Sequence, residues 1–450
     1  MVAARAAIRK AEVASGEASR YPQPLMGEIR MPTLAIVVPC LDEAANLDTL
    51  LPQLHEVLRG IAVTSAVFVI DGGSSDDSAA VAERHGATVI QQRGTGYGGA
   101  IKTAFEDIDA EWLLTLDADC SHRPAIVRYL FAMRESADIV IASRYIREGH
   151  AEMPFTRQLL SRILNRTFRT ILDLDIHDLS SGYRLYRRAA ISKLDLRYTT
   201  YAFLQETLVK AYCEGYQVRE IPFHYHPRRH GRSHAQLVRF ARDYLATLRG
   251  MWRLRNSIES ADYDNRAFNS RIWLQKYWQR SRYRHIVRFI GDASRVLDAG
   301  CGSTQILNGA PEAVGMDILR RKLRFMRRPG RQLVAGSTNA LPFADEAFQV
   351  VISSQVIEHI PEQDAVFEEL VRCIEPGGRL ILGTPDYGGW QWPLIEKAYA
   401  FFKPTGYAEE HITHYTFDSL TTRLEEMGLI IEDHAYIMKG ELIIAARKPG

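Results

Sequence analysis

At 450 residues the chain is too long for one ordinary hydrophobic core, so two domains of about 100 to 200 residues each are the default expectation. An apolar content of 46% and a charged content of 24% are those of a soluble globular protein and exclude a fibrous or largely disordered chain, whereas a formal net charge of +2 excludes no partner. The five cysteines, Cys40, Cys120, Cys213, Cys301 and Cys373, are odd in number, scattered and without a CxxC pair; this argues against a disulfide framework or a zinc site and fits a reducing cytosol.

Residues 1–32 read as a mobile or weakly helical extension, because residues 1–30 are rich in Ala, Arg, Glu and Ser and lack the apolar centre of a signal peptide. No later stretch reaches the roughly 18 apolar residues of a membrane span. From Thr33 strand, turn and helix alternate, which predicts a mainly parallel α/β sheet. Leu34 to Val38 is an apolar strand; Pro39, Glu43 and Asn46 follow, and Leu47, Leu50, Leu51 and Leu54 keep helical spacing. A second strand, Ala66 to Ile70, ends in Asp71-Gly-Gly-Ser-Ser-Asp76. The glycine loop Gly94 to Gly99 opens another helix and could pack closely on a nucleotide. The run Trp112 to Leu116 then delivers Asp117 and Asp119 at its carboxyl end, where open α/β sheets place ligands. Two carboxylates one residue apart suit a hard divalent ion that in turn holds a diphosphate, although the same triplet also serves as a plain polar turn.

Taken together, IVVPCLDEAANL, VIDGGSSDDS, the Gly96 loop, LDADCSH, IASRY (Ile141 to Tyr145), DLSSGYR (Asp178 to Arg184), LQE (Leu204 to Glu206) and RRHGRS (Arg228 to Ser233) resemble family 2 glycosyltransferases of GT-A fold, in their dolichol-phosphate mannosyltransferase-like branch. The resemblance covers about Leu34 to His234 and implies a nucleotide-diphospho-sugar donor, a UDP- or GDP-sugar. It assigns Pro39, Glu43 and Asp71 to the nucleoside, and Asp117 and Asp119 to the diphosphate and its Mg²⁺ or Mn²⁺. Ala118 lies between those acids at the donor, and Ser121 stands where the branch sometimes has a third metal ligand. Arg144 and Arg228 would face the phosphates. Gly72 replaces a frequent second Asp, and His234 stands where the branch often has Lys. A polyprenyl phosphate acceptor is already anionic and needs no strong base; a sugar hydroxyl would need a carboxylate, and Asp178 or Glu206 would be the catalytic candidates. Asp178 also reads as a helix N-cap, and Arg184 and Arg187 read equally as solvated charges or as active-site groups.

Residues 236–289 are expected to form a basic amphipathic helix and a connector. Between Arg228 and Asn256 there are eight Arg and a single acid, Asp243. Leu237, Phe240, Tyr244, Leu245, Leu248, Met251 and Trp252 share one face beside Arg239, Arg242, Arg249 and Arg253. Such a helix suits a membrane interface, giving a cytoplasmic protein peripheral on the inner face of the membrane, or simple packing on a domain with Arg outward. Nucleic acid is not expected, because the basic patch is short and no nucleic-acid fold accompanies it.

A new strand and glycine turn, Arg295 to Gly302, open a last unit, 290–450. Ala313 to Asp317 is a second strand ending in an acid, 19 residues after Asp298. With LPFADEAFQVV, VIEHI and LVRCIEPGGRLILGTPD this unit resembles class I S-adenosylmethionine-dependent methyltransferases of Rossmann-like fold. The resemblance places Asp298, Gly300 and Gly302 about the methionine part of S-adenosyl-L-methionine and Asp317 on the ribose, with Ser337 where an acid often reaches adenine. Thr304 replaces a usual glycine and Gln349 the usual Asp of an FD pair, and both bear on cofactor affinity. His359, His411 and His414 are candidate bases, each also suited to a structural role, and the aromatic insert Tyr387 to Tyr407 is expected to lid the acceptor pocket. The combined expectation is a bifunctional enzyme, with a GT-A glycosyltransferase at 33–235 followed by a class I methyltransferase, acting on polyprenyl phosphate or a glycan acceptor. The alternatives are a C-terminal half that senses or scaffolds without turnover, and a soluble sugar acceptor.

Overall fold

Two sheets organise the chain, and the computed structural model describes residues 31–227, 237–361, 364–402 and 411–450. The first sheet holds β1 (Leu34–Cys40), β2 (Ser65–Asp71), β3 (Thr88–Gln91), β4 (Trp112–Thr115), β5 (Ile139–Ser143), β7 (Arg184–Arg187) and β8 (Val218–Pro222) in the order β3-β2-β1-β4-β7-β5-β8. β6 (His150–Ala151) and β9 (His224–Tyr225) pair separately. β7 runs antiparallel between β4 and β5, and the other pairings are parallel. β1 and β4 are covered on both faces, which is why they read as unbroken apolar runs. The helix Ala44–Arg59 buries Leu47, Leu50, Leu51 and Leu54 against one face, as their spacing requires. Register aligns Cys40 with Asp71 and Asp71 with Gln91, so the carboxyl ends of three strands form one ledge. β1 pairs with β2 on one side and β4 on the other, and the crevice at such a reversal of strand order is where doubly wound sheets bind ligands.

The second sheet holds β10 (Val296–Ala299), β11 (Val314–Asp317), β12 (Gln332–Ala335), β13 (Phe348–Ser354), β14 (Ile374–Pro385), β15 (Ile430–Ile437) and β16 (Glu441–Arg447), in the order β12-β11-β10-β13-β14-β16-β15. β12 through β14 run parallel and the β15–β16 hairpin closes the edge antiparallel. Each face has its own core, one containing Leu297, Val351, Leu380 and Ile444, the other Val296, Ile352, Ile381 and Ile443.

The stretch expected as helix and connector divides between the two sheets. The helix Leu237–Arg255 packs on the first unit through Tyr244, Thr247, Leu248, Met251 and Leu254. Its buried face differs from the expected one: Leu245 and Trp252 are exposed, while the polar Thr247 and Arg255 are buried. Thr247 is tolerated because its hydroxyl donates to the Asp243 carbonyl, and Arg255 because it meets Asp262, Ser260 and the carbonyls of Leu172 and Asp173. The helix Trp273–Ile290 belongs instead to the second unit, burying Ile286, Phe289 and Ile290 in its core while Trp278 and Arg282 hold Glu441. The two units touch where Gly215, at φ +82°, lies so near the Arg321 carbonyl that a Cβ would sit 2.2 Å from it. Alongside, Arg324 covers the Tyr216 ring at 4.0 Å, and Asp138 receives Arg187 and Arg327, each at 3.2 Å.

Removing one partner of a buried ion pair leaves the other charge uncompensated, at a cost of about 3 to 5 kcal/mol. Arg255→Ala, which leaves the buried Asp262 only Ser260 and Arg266 at 3.5 Å, is therefore expected to lower the unfolding free energy of the first unit by up to that amount. Chemical denaturation followed by fluorescence measures it, and a loss below about 1 kcal/mol would contradict the assignment.

Candidate functional site

The ledge of the first sheet gathers the acids that the sequence singled out. Asp71 is buried and turned into the loop that follows it, accepting from the backbone N–H of Gly73 and Ser74, the Ser74 hydroxyl and the Gln91 amide. Glu43 sits just before the adjacent helix, its N–H donating to Ser78 Oγ and its carboxylate accepting from Asn46. Pro39 lies on β1 beside Ile70, and Ala118 is buried between the two aspartates. Asp119 is also buried and accepts from the Ser121 N–H at 3.1 Å and the Ser121 hydroxyl at 2.5 Å. Ser121, expected as a metal ligand, is thus a donor that fixes the Asp119 carboxylate. Cys120, at φ 61°, makes the tight bend between them.

Asp117 is the more open of the pair, with its side chain 32% exposed. Its N–H donates to Nδ1 of His122, which leaves the proton of that imidazole on Nε2, 3.8 Å from Asp117 Oδ2. Burial holds His122 below its usual range, so it is a neutral donor. Tyr97 stands on the other side, buried and stacked on Tyr201 at 4.8 Å. His122 and Tyr97 carried a sequence signal only in retrospect, the first inside LDADCSH and the second inside the glycine loop. An open acid beside a buried, serine-fixed one is a donor set of oxygens that suits Mg²⁺ or Mn²⁺.

Three expectations here are corrected. Asp178 is fully buried and accepts from the Arg144 N–H, Nε and Nη2, at 3.0, 2.8 and 2.8 Å, and from Ser180. Burial alone would raise this carboxyl, but the Arg144 guanidinium holds it below the usual range, so it is a weak base. Glu206 is likewise buried, accepting from the N–H groups of Arg197 and Tyr198 and from Lys210 Nζ at 2.7 Å. It fixes the loop before its own helix and is not presented as a base. Arg184 is not solvated but buried on the carbonyls of Leu179 and Leu204, whereas Arg187 is half-exposed, lying on the Trp112 ring and pairing with Asp138. The glycine loop packs on protein, since a Cβ at Gly98 would meet Thr199 and Phe203 at 2.8 Å. Arg228 and His234 lie outside the described residues.

In the second sheet Asp298 and Asp317 stand at the ends of neighbouring parallel strands. Asp317 accepts from the N–H of Gly302 at 2.8 Å and of Leu319 at 2.7 Å, closing the glycine turn on itself. Gly300, at φ +86°, has no room for a side chain, because a Cβ would lie 2.3 Å from Val356. Asp298 is different. It is buried, its Oδ2 has no hydrogen-bond partner among the described residues, and burial, then the nearby Asp317, push its carboxyl up to about 7. A buried acceptor without a donor fits a cationic ligand, and the ammonium and sulfonium of S-adenosylmethionine are cationic. Ser337 sits just beyond β12, its hydroxyl accepting from the Asn339 N–H. Thr304 returns its hydroxyl to the Cys301 carbonyl, so it holds the turn in place of a glycine. Gln349 lies at the amino end of β13, accepting from the Ser294 and Arg295 N–H groups. That is the end away from the strand-end acids, so its departure from the FD pair bears on folding and not on cofactor affinity. Asp264 and Lys322 were not anticipated: Asp264 accepts from Ser303 and from Lys322 Nζ at 2.9 Å, so the connector seals the back of the glycine turn.

The candidate histidines do come together. The His359 and His411 rings are 5.1 Å apart, and His414 stacks on Tyr387 at 4.0 Å. Burial, with His359 and His414 beside it, pushes His411 down to about 4, and burial pushes the neighbouring Glu358 up to about 8. Trp392, from the helix Gln391–Phe402, lies 5.9 Å from the His411 ring, while Trp390 is exposed. The remainder of the expected lid, 403–407, is outside the described residues.

Residues 35–195 match the profile of glycosyl transferase family 2, and residues 297–382 that of a methyltransferase domain. Glycosyltransferase AglJ of Haloferax volcanii is 33% identical over 208 residues, 45% of this chain and 66% of that protein. Polyprenol monophosphomannose synthase of Mycolicibacterium smegmatis is 30% identical over 216 residues, 44% of this chain and 78% of that protein. The chain thus spans just under two thirds of AglJ. Among solved structures, a SAM-dependent methyltransferase of Thermotoga maritima aligns at a TM-score of 0.35 and 16% identity, over 41% of this chain and 94% of its own.

Asp298 generates a pH prediction. Its folded carboxyl, at about 7, is raised above the unfolded value near 4, so its stabilising contribution is complete below about pH 4 and is lost as pH rises through 7. Asp298→Asn removes that loss, which amounts to about 4 kcal/mol, and should raise the melting temperature of the second unit at pH 8 relative to the native chain but not at pH 4. Differential scanning calorimetry at the two pH values checks it; equal shifts at both would show that Asp298 is not the titrating group.

Proposed function

The chain belongs to glycosyl transferase family 2 and carries a methyltransferase domain behind that unit, and from this we propose an enzyme that moves a sugar from a nucleotide diphosphate to a polyprenyl phosphate or lipid-linked acceptor and methylates a glycan or related small acceptor. The observation that carries the choice of sugar acceptor is the engagement of Asp178 and Glu206. Both carboxylates suited to deprotonate a hydroxyl are buried and already saturated with donors. An acceptor that arrives ionised needs neither of them.

Asp117 and Asp119 would hold Mg²⁺ or Mn²⁺, which when bound supplies positive charge to the departing nucleotide. Ser121 fixes Asp119, and His122 holds Asp117 through its backbone, so both acids are set before a donor arrives. Asp178 acts through Arg144, locking that guanidinium in a two-pronged pair and so orienting it. In the second unit Asp298 would meet the cationic end of S-adenosylmethionine and the backbone of the Gly300 to Gly302 turn its methionine part. Methyl transfer is then largely a matter of orientation, because the sulfonium is a good leaving group. A sensing or scaffolding unit without turnover is a second reading, and Asp317, whose two oxygens already accept backbone N–H groups, favours its scaffolding form.

A lipid acceptor calls for a lipid-facing surface. No helix among the described residues is long and apolar enough to cross a membrane. The helix Phe155–Leu172 exposes Phe155, Leu160 and Ile163 at 74, 55 and 53% and carries four Arg and no acid. It meets the helix Leu237–Arg255 through Phe168 and Tyr244, and that helix exposes Leu245 at 68% and Trp252 at 47% beside Arg242, Arg249 and Arg253. Apolar side chains interleaved with Arg suit the interface of an anionic bilayer.

A screen of UDP- and GDP-sugars against polyprenyl phosphate and neutral glycans, with mass measurement of products, tests the sugar half. Asp119→Ala should abolish transfer, and Glu206→Gln should lower stability while keeping kcat within about tenfold, since loss of a true general base costs about 100-fold or more. Transfer to a neutral hydroxyl with a 100-fold loss in Glu206→Gln would overturn the reading. Changing Arg242, Arg249 and Arg253 to Glu should weaken binding to anionic vesicles by at least about 100-fold, each basic residue contributing about 1 kcal/mol. Unchanged sedimentation with vesicles would assign those arginines to solvent.

A further inference from the structure

Glu358, His359 and His411 each bring one ligating atom to within 4.8 Å of the others, and we propose that they form a second divalent-cation site, distinct from Asp117 and Asp119, beside the cofactor pocket of the methyltransferase unit. The site is built from two segments that backbone hydrogen bonds lock together. The Ile412 and Thr413 N–H groups donate to the Glu358 carbonyl at 2.8 and 3.1 Å, and the Thr413 hydroxyl donates to the Ile360 carbonyl at 2.7 Å. The three ligands are therefore preset and do not depend on a loop closing.

Two further observations point to a cation. Glu358 is 0% exposed, yet its Oε1 has no hydrogen-bond partner among the described residues. Buried carboxylate oxygens are ordinarily met by donors; one without a donor either keeps its proton or meets a cation, and two imidazoles beside it favour the cation. His411, in turn, is oriented by a relay. The Tyr387 hydroxyl donates to Glu396 at 3.1 Å, so it accepts from His411 Nδ1–H, 2.8 Å away. That tautomer leaves the lone pair of His411 on Nε2. Metal-bound imidazoles are commonly fixed in this manner, the second nitrogen donating to an oxygen that is itself held by a carboxylate.

Two imidazole nitrogens and one carboxylate oxygen select borderline ions such as Zn²⁺, Fe²⁺ or Co²⁺ over Ca²⁺. Three protein ligands leave positions open, as in sites that take a substrate. Val356, two residues before Glu358, closes on Gly300 of the glycine turn, so the open side borders the place where a methyl donor would lie. In that setting the cation would hold the oxygen of an acceptor hydroxyl and ease loss of its proton. This role rests on the methyltransferase reading; the cation site itself does not.

Untagged full-length protein carrying Asp119→Ala, which removes the other ion, is titrated with Co²⁺ and followed by visible absorption and equilibrium dialysis. One Co²⁺ per chain, with the intense bands of a low-coordinate nitrogen-containing site and displacement by Zn²⁺, is expected. His411→Ala and Glu358→Gln should each weaken binding at least tenfold. Tyr387→Phe leaves His411 Nδ1 only Glu396, 3.3 Å away, and should weaken binding less than either ligand variant while leaving the fold intact. Absence of bound Co²⁺, or binding that none of the three variants changes, would overturn the site. S-adenosylmethionine binding is measured on the same samples by calorimetry: Co²⁺ bound without any cofactor binding upholds the site and removes its methyl-transfer role, whereas cofactor binding without Co²⁺ removes the site and leaves the methyltransferase reading standing.

Discussion

A carboxylate buried at the end of a strand has to be met by a donor or a cation, and the way each acid of this chain meets that requirement separates its scaffold from its chemistry. Asp71 is met by the backbone amides of the turn it precedes, Asp317 by Leu319 of its own turn and Gly302 of the neighbouring glycine turn, Asp178 by Arg144, and Glu206 by two amides and Lys210. These acids hold loops in place at the carboxyl ends of the sheets. Asp298 and Glu358 are the exceptions, each buried with an oxygen unmatched and each pushed up by burial. Unmatched acids of this kind cost several kcal/mol unless a ligand supplies the missing charge, which is why they mark sites.

The same requirement explains what could be read from the chain and what could not. Asp71, Asp117, Asp119, Asp298 and Asp317 were legible because each stands at the carboxyl end of an apolar strand, Asp117 and Asp119 sharing one, a pattern contained in a few consecutive residues. The roles of Asp178 and Glu206 depend on Arg144, 34 residues away in sequence for Asp178, and on the loop 195–201, which no local pattern announces. Gln349 looked like a cofactor residue because it stands at the Asp of the FD pair, but in a parallel strand it falls at the amino end, away from the strand-end acids. For the helix Leu237–Arg255 hydrophobicity alone placed the face only in part: Tyr244, Leu248 and Met251 pack as expected, Leu245 and Trp252 are exposed, and Thr247 and Arg255 are buried through hydrogen bonds that hydropathy does not see.

The seam between the units follows from the same electrostatics. Asp138, at the start of β5, is buried and takes one Arg from its own sheet and another, Arg327, from the helix end that follows Asp317. Arg324 on that helix covers Tyr216, and Gly215 admits the Arg321 backbone. The segment that carries the acid of the second glycine turn is thereby fastened to the first sheet.

Coupling between sites needs an element that both sites bias, and contact alone does not provide it. The helix Arg320–Met326 is such a candidate element, because Lys322 on one face pairs with Asp264 behind the glycine turn while Arg324 and Arg327 reach the first unit from its other side. A ligand that moved Asp317 would move this helix against β5 and β8, whose neighbours carry Arg144. Among the described residues the contacts named between the units are mainly polar, with the Arg324 guanidinium over the Tyr216 ring, and polar seams of this kind resemble transient interfaces more than a domain core. The physical arrangement therefore favours two sites that fold as separate cores and share one helix, over two enzymes merely strung on a common chain.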